Sequence, residues 1–341
     1  MNFIRYIVLP FVALSLLSDI SAAETPDSVK PFTYKPSFRG VVRGRYELET
    51  RNMENRFQLR NARMYIEGYV APIVDYKVEC DYNQGDFKII YAWGRVALSD
   101  NFKVTLGQMR YPFSVTASYS PFNYTFNNRS FIGKQVGNYT GVGLKLAYSH
   151  PVLPLNIEGG VFNHYRSNRQ QVWQKQMDYA AKVNYRTGNV RFQAGMESII
   201  PDSVRINMFE ASVRWQSGRW TLEGEYLVKD YTGDKFETTN SYVVWGDYSM
   251  PVKAGVFNRL SFQGRWDGMS DNSDGMQDDD GELTVNNPAC DRITVGSTLS
   301  CINSRFRTDI RLNYEKYFYR NNVPAPVGGG DKLSAELVII F

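Results

Sequence analysis

Residues 332–341, K-L-S-A-E-L-V-I-I-F, place Leu333, Ala335, Leu337, Ile339 and Phe341 on one face of an extended chain and Lys332, Ser334 and Glu336 on the other. A strand of this kind leaves a row of unpaired N–H and C=O groups at its edge, and in a bilayer each of those groups must find a partner. The sequence stops there, on Phe341. The expectation is that this strand closes a transmembrane barrel by pairing on both sides.

The same period-two pattern recurs along the chain. It predicts strands at 38–50, 57–70, 74–82, 88–98, 103–111, 142–148, 155–161, 177–185, 192–196, 209–215, 220–229, 240–250, 260–267, 292–301, 305–319 and 332–341. The second slips phase around Asn61, the signature of a bulge. Sixteen is an even number, as single-chain bacterial outer-membrane barrels require. Links after even-numbered strands are short, such as His150-Pro151 and Ser217-Gly218, whereas 112–139, 165–174, 231–239, 268–291 and 321–331 are long. The expected class is therefore all-β: a transmembrane antiparallel barrel of about 16 strands with short periplasmic turns and long extracellular loops. A soluble antiparallel sheet shows the same alternation, with the apolar face buried instead of exposed.

Residues 1–23 predict a cleaved export signal: Arg5, an apolar run over 7–17, and Ser21-Ala22-Ala23 as a small-residue cleavage site. An eleven-residue run is too short to span, and no later run of 18 apolar residues follows. Residues 24–37, with Pro26, Pro31 and Pro36, predict a periplasmic lead-in, and 38–341 the barrel. The formal charge of +4 is too small to imply nucleic acid. Cys290 and Cys301, if extended between them, lie about 36 Å apart, far beyond the roughly 6 Å a disulfide allows. Only a doubling back would join them. No C-x-x-C or His/Cys cluster suggests a metal, and the acidic segment 268–291 lacks EF-hand spacing, so it is expected to be a solvated loop. With His150 and His164 alone there is no Ser/His/acid arrangement, so neither catalysis nor a cofactor is expected.

The stretch Gly107-Gln108-Met109-Arg110-Tyr111-Pro112-Phe113-Ser114 resembles the G-Q-x-K-x-P-F-S segment of the phosphate-selective porin O and P family. The likeness extends to F-R-G-V-V-R-G-R at 38–45, R-N-A-R-M-Y-I-E-G at 60–68, Tyr139-Thr140-Gly141-Val142-Gly143 and Thr294-Val295-Gly296, and is densest over 38–148. The resemblance implies an outer-membrane porin among lipids and lipopolysaccharide, a homotrimer, with the loop 112–139 folded inward to narrow a water-filled pore for small hydrophilic solutes. That loop carries Arg129 and Lys134 and no Asp or Glu, and Arg110 stands where the family often has Lys. These three are the expected constriction cations, which would favour anions.

Alternation also puts Arg39, Arg43 and Arg45 on an inward face with Arg63 beside them. Arg305, Arg307 and Arg311 share one face of the fifteenth strand. If the last strand joins these groups, the wall is basic; Glu47, Glu49, Glu67, Asp309 and Glu315 on the same faces would offset it. Guanidinium forks suit phosphate, sulfate or carboxylate. Tyr111, Tyr119, Phe122, Tyr124, Phe126 and Phe131 leave open a general or sugar channel, or simply pack the loop. A non-conducting binding or adhesion barrel is the third reading.

Overall fold

Sixteen antiparallel strands run in sequence order round a closed barrel, and the sixteenth pairs with the first. They are β1 (Ser37–Glu49), β2 (Asn55–Ala71), β3 (Val74–Asn83), β4 (Asp86–Ala97), β5 (Phe102–Arg110), β6 (Thr140–Ser149), β7 (Leu155–Asn163), β8 (Met177–Thr187), β9 (Val190–Ile199), β10 (Ile206–Ser217), β11 (Trp220–Tyr231), β12 (Thr239–Ala254), β13 (Phe257–Met269), β14 (Cys290–Ile302), β15 (Arg307–Tyr319) and β16 (Lys332–Ile340). The computed structural model describes residues 34–83, 85–137, 139–164, 173–304, 306–320, 325–326 and 328–341. The expected signal segment, most of the lead-in, and Arg305 lie outside the described residues.

All sixteen strands expected from alternation are present, with ends displaced by a few residues. The links after even-numbered strands are two to five residues long, and they form one rim. The opposite rim carries the links at 111–139, 164–176, 232–238, 270–289 and 320–331, together with shorter ones such as the two-residue link between β3 and β4.

The two faces of the wall decide what surrounds the barrel. Leu106, Val213, Val244, Val295, Leu312, Leu337 and Ile339 point outward and are exposed, while Arg43, Glu79, Glu225, Asp267, Asp309 and Glu336 point inward and are buried. A water-soluble sheet protein has the opposite distribution, because exposed apolar area costs about 25 cal/mol per Å² in water. Near the short-turn rim Phe102 pairs with Tyr148, Tyr185 with Phe192 and Trp220 with Tyr248 on the outer face. These rings form an aromatic girdle of the kind that sits at a membrane interface. No helix among the described residues is long and apolar enough to cross a membrane; the strands cross it.

Two local features bear on the interior. Between β1 and β2 the register runs Arg43↔Asn61 and then Gly44↔Leu59, so Arg60 is the extra residue of a bulge. The phase slip at Asn61 is this bulge. Gly107 in β5 has φ +131°, and a Cβ there would stand 2.3 Å from the carbonyl oxygen of Ala92. Only glycine lets β4 and β5 approach so closely at the start of the G-Q-M-R segment. Cys290 and Cys301 both lie on β14 and are free, so the extended spacing that argued against a bridge holds.

Candidate functional site

After Arg110 the chain leaves β5 at the long-loop rim and turns into the barrel. The turn is held by Tyr111, whose ring stacks on Phe162 at 4.1 Å and whose hydroxyl donates to Asp178 at 2.9 Å. Phe162 is able to lie flat there because Gly143 and Gly160 leave its path clear. A four-residue helix, Val115–Ser118, follows. Its Ser114 Oγ accepts from Ala117 N at 3.0 Å, and the Glu225 carboxylate accepts from Val115 N and Thr116 N at 3.2 and 2.9 Å. This is N-capping by a side chain from the barrel wall as well as from the loop itself.

The loop then runs along the inner wall from β11 to β1. Asn127 N donates to Asn313 at 2.7 Å, Asn128 Nδ2 to Glu315 at 2.9 Å, and Phe131 N to Asp267 at 3.0 Å. Arg265 and Arg292 donate to the carbonyls of Asn128 and Arg129 at 2.7 and 2.8 Å. Phe113, Phe126, Phe131, Ile132 and Val136 of the loop are buried against Met208, Leu227, Val243, Trp245 and Met269. The loop thus fills part of the lumen with a packed core, and the aqueous space is confined to the rest. Replacing Glu225 by alanine would strand two buried N–H groups at a cost of about 1–3 kcal/mol each. The Glu225→Ala channel is therefore expected to show larger, noisier single-channel currents, and wild-type conductance would mean that the carboxylate does not hold the loop.

The arginines expected to form a basic wall are largely neutralised. Strand β16 does sit between β1 and β15, but it brings Glu336 opposite both Arg45 and Arg311. Arg43 and Arg45 approach the Glu336 carboxylate at 2.8 and 2.9 Å and Arg311 at 3.6 Å. Arg307 and Arg311 also share Asp309, at 2.8 and 2.6 Å, and Arg63 pairs with Asp81 at 2.9 Å and Glu79 at 3.3 Å. Arg39 stands apart, exposed at the short-turn end of β1. The seam is a network of paired charge, in which Arg43, Arg45, Arg307 and Arg311 meet Glu47, Asp309 and Glu336.

Several interior cations escape this pairing. Arg110, Arg129, Lys134 and Arg60 have no carboxylate within salt-bridge distance among the described residues. Arg110 donates to the Tyr91 hydroxyl at 3.1 Å and Arg129 to the Ala117 carbonyl at 3.2 Å. Burial lowers the proton affinity of the Arg129 guanidinium, and the charges of Arg110 and Arg63 lower it further. Lys134 reaches the water of the lumen yet is crowded by the barrel. Its pKa is pushed down to about 8, first by burial and then by Arg60, Arg292 and Lys332.

Two of the aqueous chambers that border the loop hold the expected constriction cations. On the long-loop side a cavity of about 250 Å³ is bounded by Arg60, Arg129, Lys134, Arg292, Lys332 and Tyr317, among others. Between the loop and the β3–β8 wall a cavity of about 230 Å³ is bounded by Lys77, Tyr91, Arg95, Arg110, Lys145 and Lys182, among others. Of the three expected constriction cations, Arg129 and Lys134 thus border the first chamber and Arg110 the second. Arg129 faces Arg110 and Arg63 electrostatically.

Lys77, Arg95, Lys145 and Lys182 were not singled out as site residues from the sequence, although the alternation already put Lys77 and Lys182 on a polar face. Their acids are sparse: Lys145 and Lys182 share Glu158 at 2.9 and 3.3 Å, Lys77 takes Glu79 at 2.9 Å, and Arg95 takes Asp75. Arg60 had no signal beyond the slip at Asn61, since simple alternation does not say where a bulged residue points.

The six aromatic residues of the loop are engaged. Tyr124 lies under the Arg43 guanidinium at 4.9 Å, Phe126 under Arg265 at 4.6 Å and Phe131 under Arg292 at 4.5 Å. Phe122 meets Tyr65 edge-on at 5.2 Å, and Tyr119 donates to Glu223. They pack the loop and cover arginines.

A family model described as Gram-negative porin matches residues 75–256. The fold is similar to that of an anion-selective porin from Comamonas acidovorans at 13% identity, over 90% of this chain and 98% of that one, with a TM-score of 0.63. OmpF of Salmonella typhi, in complex with daunomycin, is similar at 12% identity, 90% and 98% coverage and a TM-score of 0.63. In-vitro folded OmpT of Vibrio cholerae, in its trimer form, gives 13% identity, 90% and 98% coverage and a TM-score of 0.58. At such identities the likeness is one of fold. No curated protein sequence matches the chain.

Proposed function

Since the chain belongs to the Gram-negative porin family and is an outer-membrane channel protein, we propose that its channel passes small hydrophilic solutes by diffusion and prefers anions, phosphate-like or carboxylate. The observation that carries this reading is the set of unpaired cations, Arg110, Arg129 and Lys134, at a loop without an acidic residue over 112–139. Water confined by a protein wall screens charge less than bulk water, so an unpaired cation there attracts passing anions and repels cations. The solved anion-selective porin of similar fold supports the same preference. Phosphate itself rests on the G-Q-M-R-Y-P-F-S likeness alone. The trimer form of OmpT supports a trimer for this chain as well.

With the long loops on the extracellular side, as is general for such barrels, a solute from outside meets the Lys134 chamber before it passes the loop. The test is the reversal potential of the purified protein in planar bilayers under a potassium chloride gradient. An anion-selective potential is expected at pH 7, and it should weaken between pH 7 and 9 as Lys134, with a pKa near 8, gives up its proton. Cation selectivity at pH 7 would overturn the reading, and absence of channels would favour a binding or adhesion barrel.

A further inference from the structure

We propose that the chamber on the extracellular side of the loop is a saturable binding site for small polycarboxylates, which dwell there before crossing the loop; this rests on the anion-preferring reading above. Among the described residues its lining holds six cationic side chains, Arg56, Arg60, Arg129, Lys134, Arg292 and Lys332, and one carboxylate, that of Glu47. Arg56 is held by Glu47 at 2.7 Å and Arg292 by Asp267 at 2.6 Å. Among the described residues Lys332 Nζ donates to the Gly328 carbonyl and has no carboxylate within salt-bridge distance. Arg60, Arg129, Lys134 and Lys332 thus share about 250 Å³ of water with no carboxylate in contact with any of them among the described residues.

Four like charges crowded into one chamber repel each other, and an anion that touches several of them removes that cost. The cations come from separate elements: Arg60 from the bulge of β2, Arg129 and Lys134 from the loop, Lys332 from β16. A monovalent ion can meet only part of the set. A solute with two or three carboxylates spread over a carbon skeleton matches its distribution better than a compact oxyanion, and each guanidinium can bind a carboxylate by two parallel hydrogen bonds. Repeated contacts of moderate strength still allow release onward.

The chamber on the periplasmic side is built differently. It measures about 190 Å³; of its four arginines, Arg307 and Arg311 are tied to Asp309 and Arg214 to Glu223, and Arg259 alone has no carboxylate within salt-bridge distance among the described residues. Binding should therefore be one-sided.

The test uses the full-length purified protein in planar bilayers under symmetrical potassium chloride. Its orientation is read from the side on which an added protease cuts the long loops. Citrate added to the extracellular side is expected to reduce the chloride current saturably, while acetate at the same concentration does not. Arg60→Gln, which lies outside the loop, should weaken the citrate block about tenfold by removing one charge-assisted contact. Wild-type resistance to heating in gel electrophoresis shows that the variant is folded. Arg259→Gln, in the periplasmic chamber, should leave the citrate block as in the wild type. Equal block from both sides, no saturable block, or block of Arg60→Gln at wild-type affinity would overturn the site. An anion-selective channel without citrate block overturns the site alone, whereas cation selectivity in the absence of citrate overturns the anion reading beneath it.

Discussion

Replacing Arg110, Arg129 and Lys134 together by glutamine is expected to bring the reversal potential in a potassium chloride gradient close to zero. At a separation of about 8 Å and an effective dielectric near 40, one charge changes the energy of a passing monovalent ion by about 1 kcal/mol, roughly a fivefold effect on its local concentration. Salt reduces the sum of three such terms, because the Debye length at physiological ionic strength is only about 8 Å. What remains around the second chamber is nearly balanced, and in the first chamber Arg60 and Lys332 are the cations left without a carboxylate within salt-bridge distance among the described residues. Arg63, Lys77, Arg95, Lys145 and Lys182 face Asp75, Glu79, Asp81 and Glu158, and these are joined in ion pairs. The wild-type preference should therefore disappear without a strong cation preference taking its place. If the triple variant kept the wild-type reversal potential, the loop and its neighbours would not control ion selection.

The second large effect is one of stability. The Glu336 carboxylate is buried between β1 and β15, with Arg43, Arg45 and Arg311 directed at it. Removing it in Glu336→Ala leaves three buried guanidinium groups short of a counter-charge, at the very pairing that closes the barrel. Breaking a buried ion pair from one side costs about 3–5 kcal/mol. The unfolding midpoint in denaturant, followed by tryptophan fluorescence in detergent, should fall markedly, and the folded form should lose its resistance to heating in gel electrophoresis. Glu336→Gln, which keeps an acceptor but not the charge, should lie between the two. An unchanged midpoint for the alanine variant would show that the arginines find other partners, Asp309 and Glu47 being nearest to hand.

The number and order of strands, the long and short rims and the bulge were legible in the sequence because each depends on local information. Side-chain period, turn length and a single phase slip are written within about a dozen residues, and a barrel reads them in series. Alternation by itself also fixed which residues of β1, β15 and β16 share a face. What it could not fix was register, and register decided the electrostatics. Glu336 falls opposite Arg45 and Arg311, so the group of arginines that looks basic in the sequence becomes a paired seam. Likewise Lys145 and Lys182 become a half-neutralised pair only because β7 places Glu158 between β6 and β8.

The charge content of the loop over 112–139 was legible. Its course was not, because it is set by Glu225, Asp267, Glu315 and Asn313 on strands more than a hundred residues away. The sequence alone determined the barrel, through a two-residue period that needs no knowledge of distant partners. Which cations stay free to act on a solute was decided only by tertiary structure, since neutralisation needs a carboxylate within about 4 Å and only the closed barrel sets those distances.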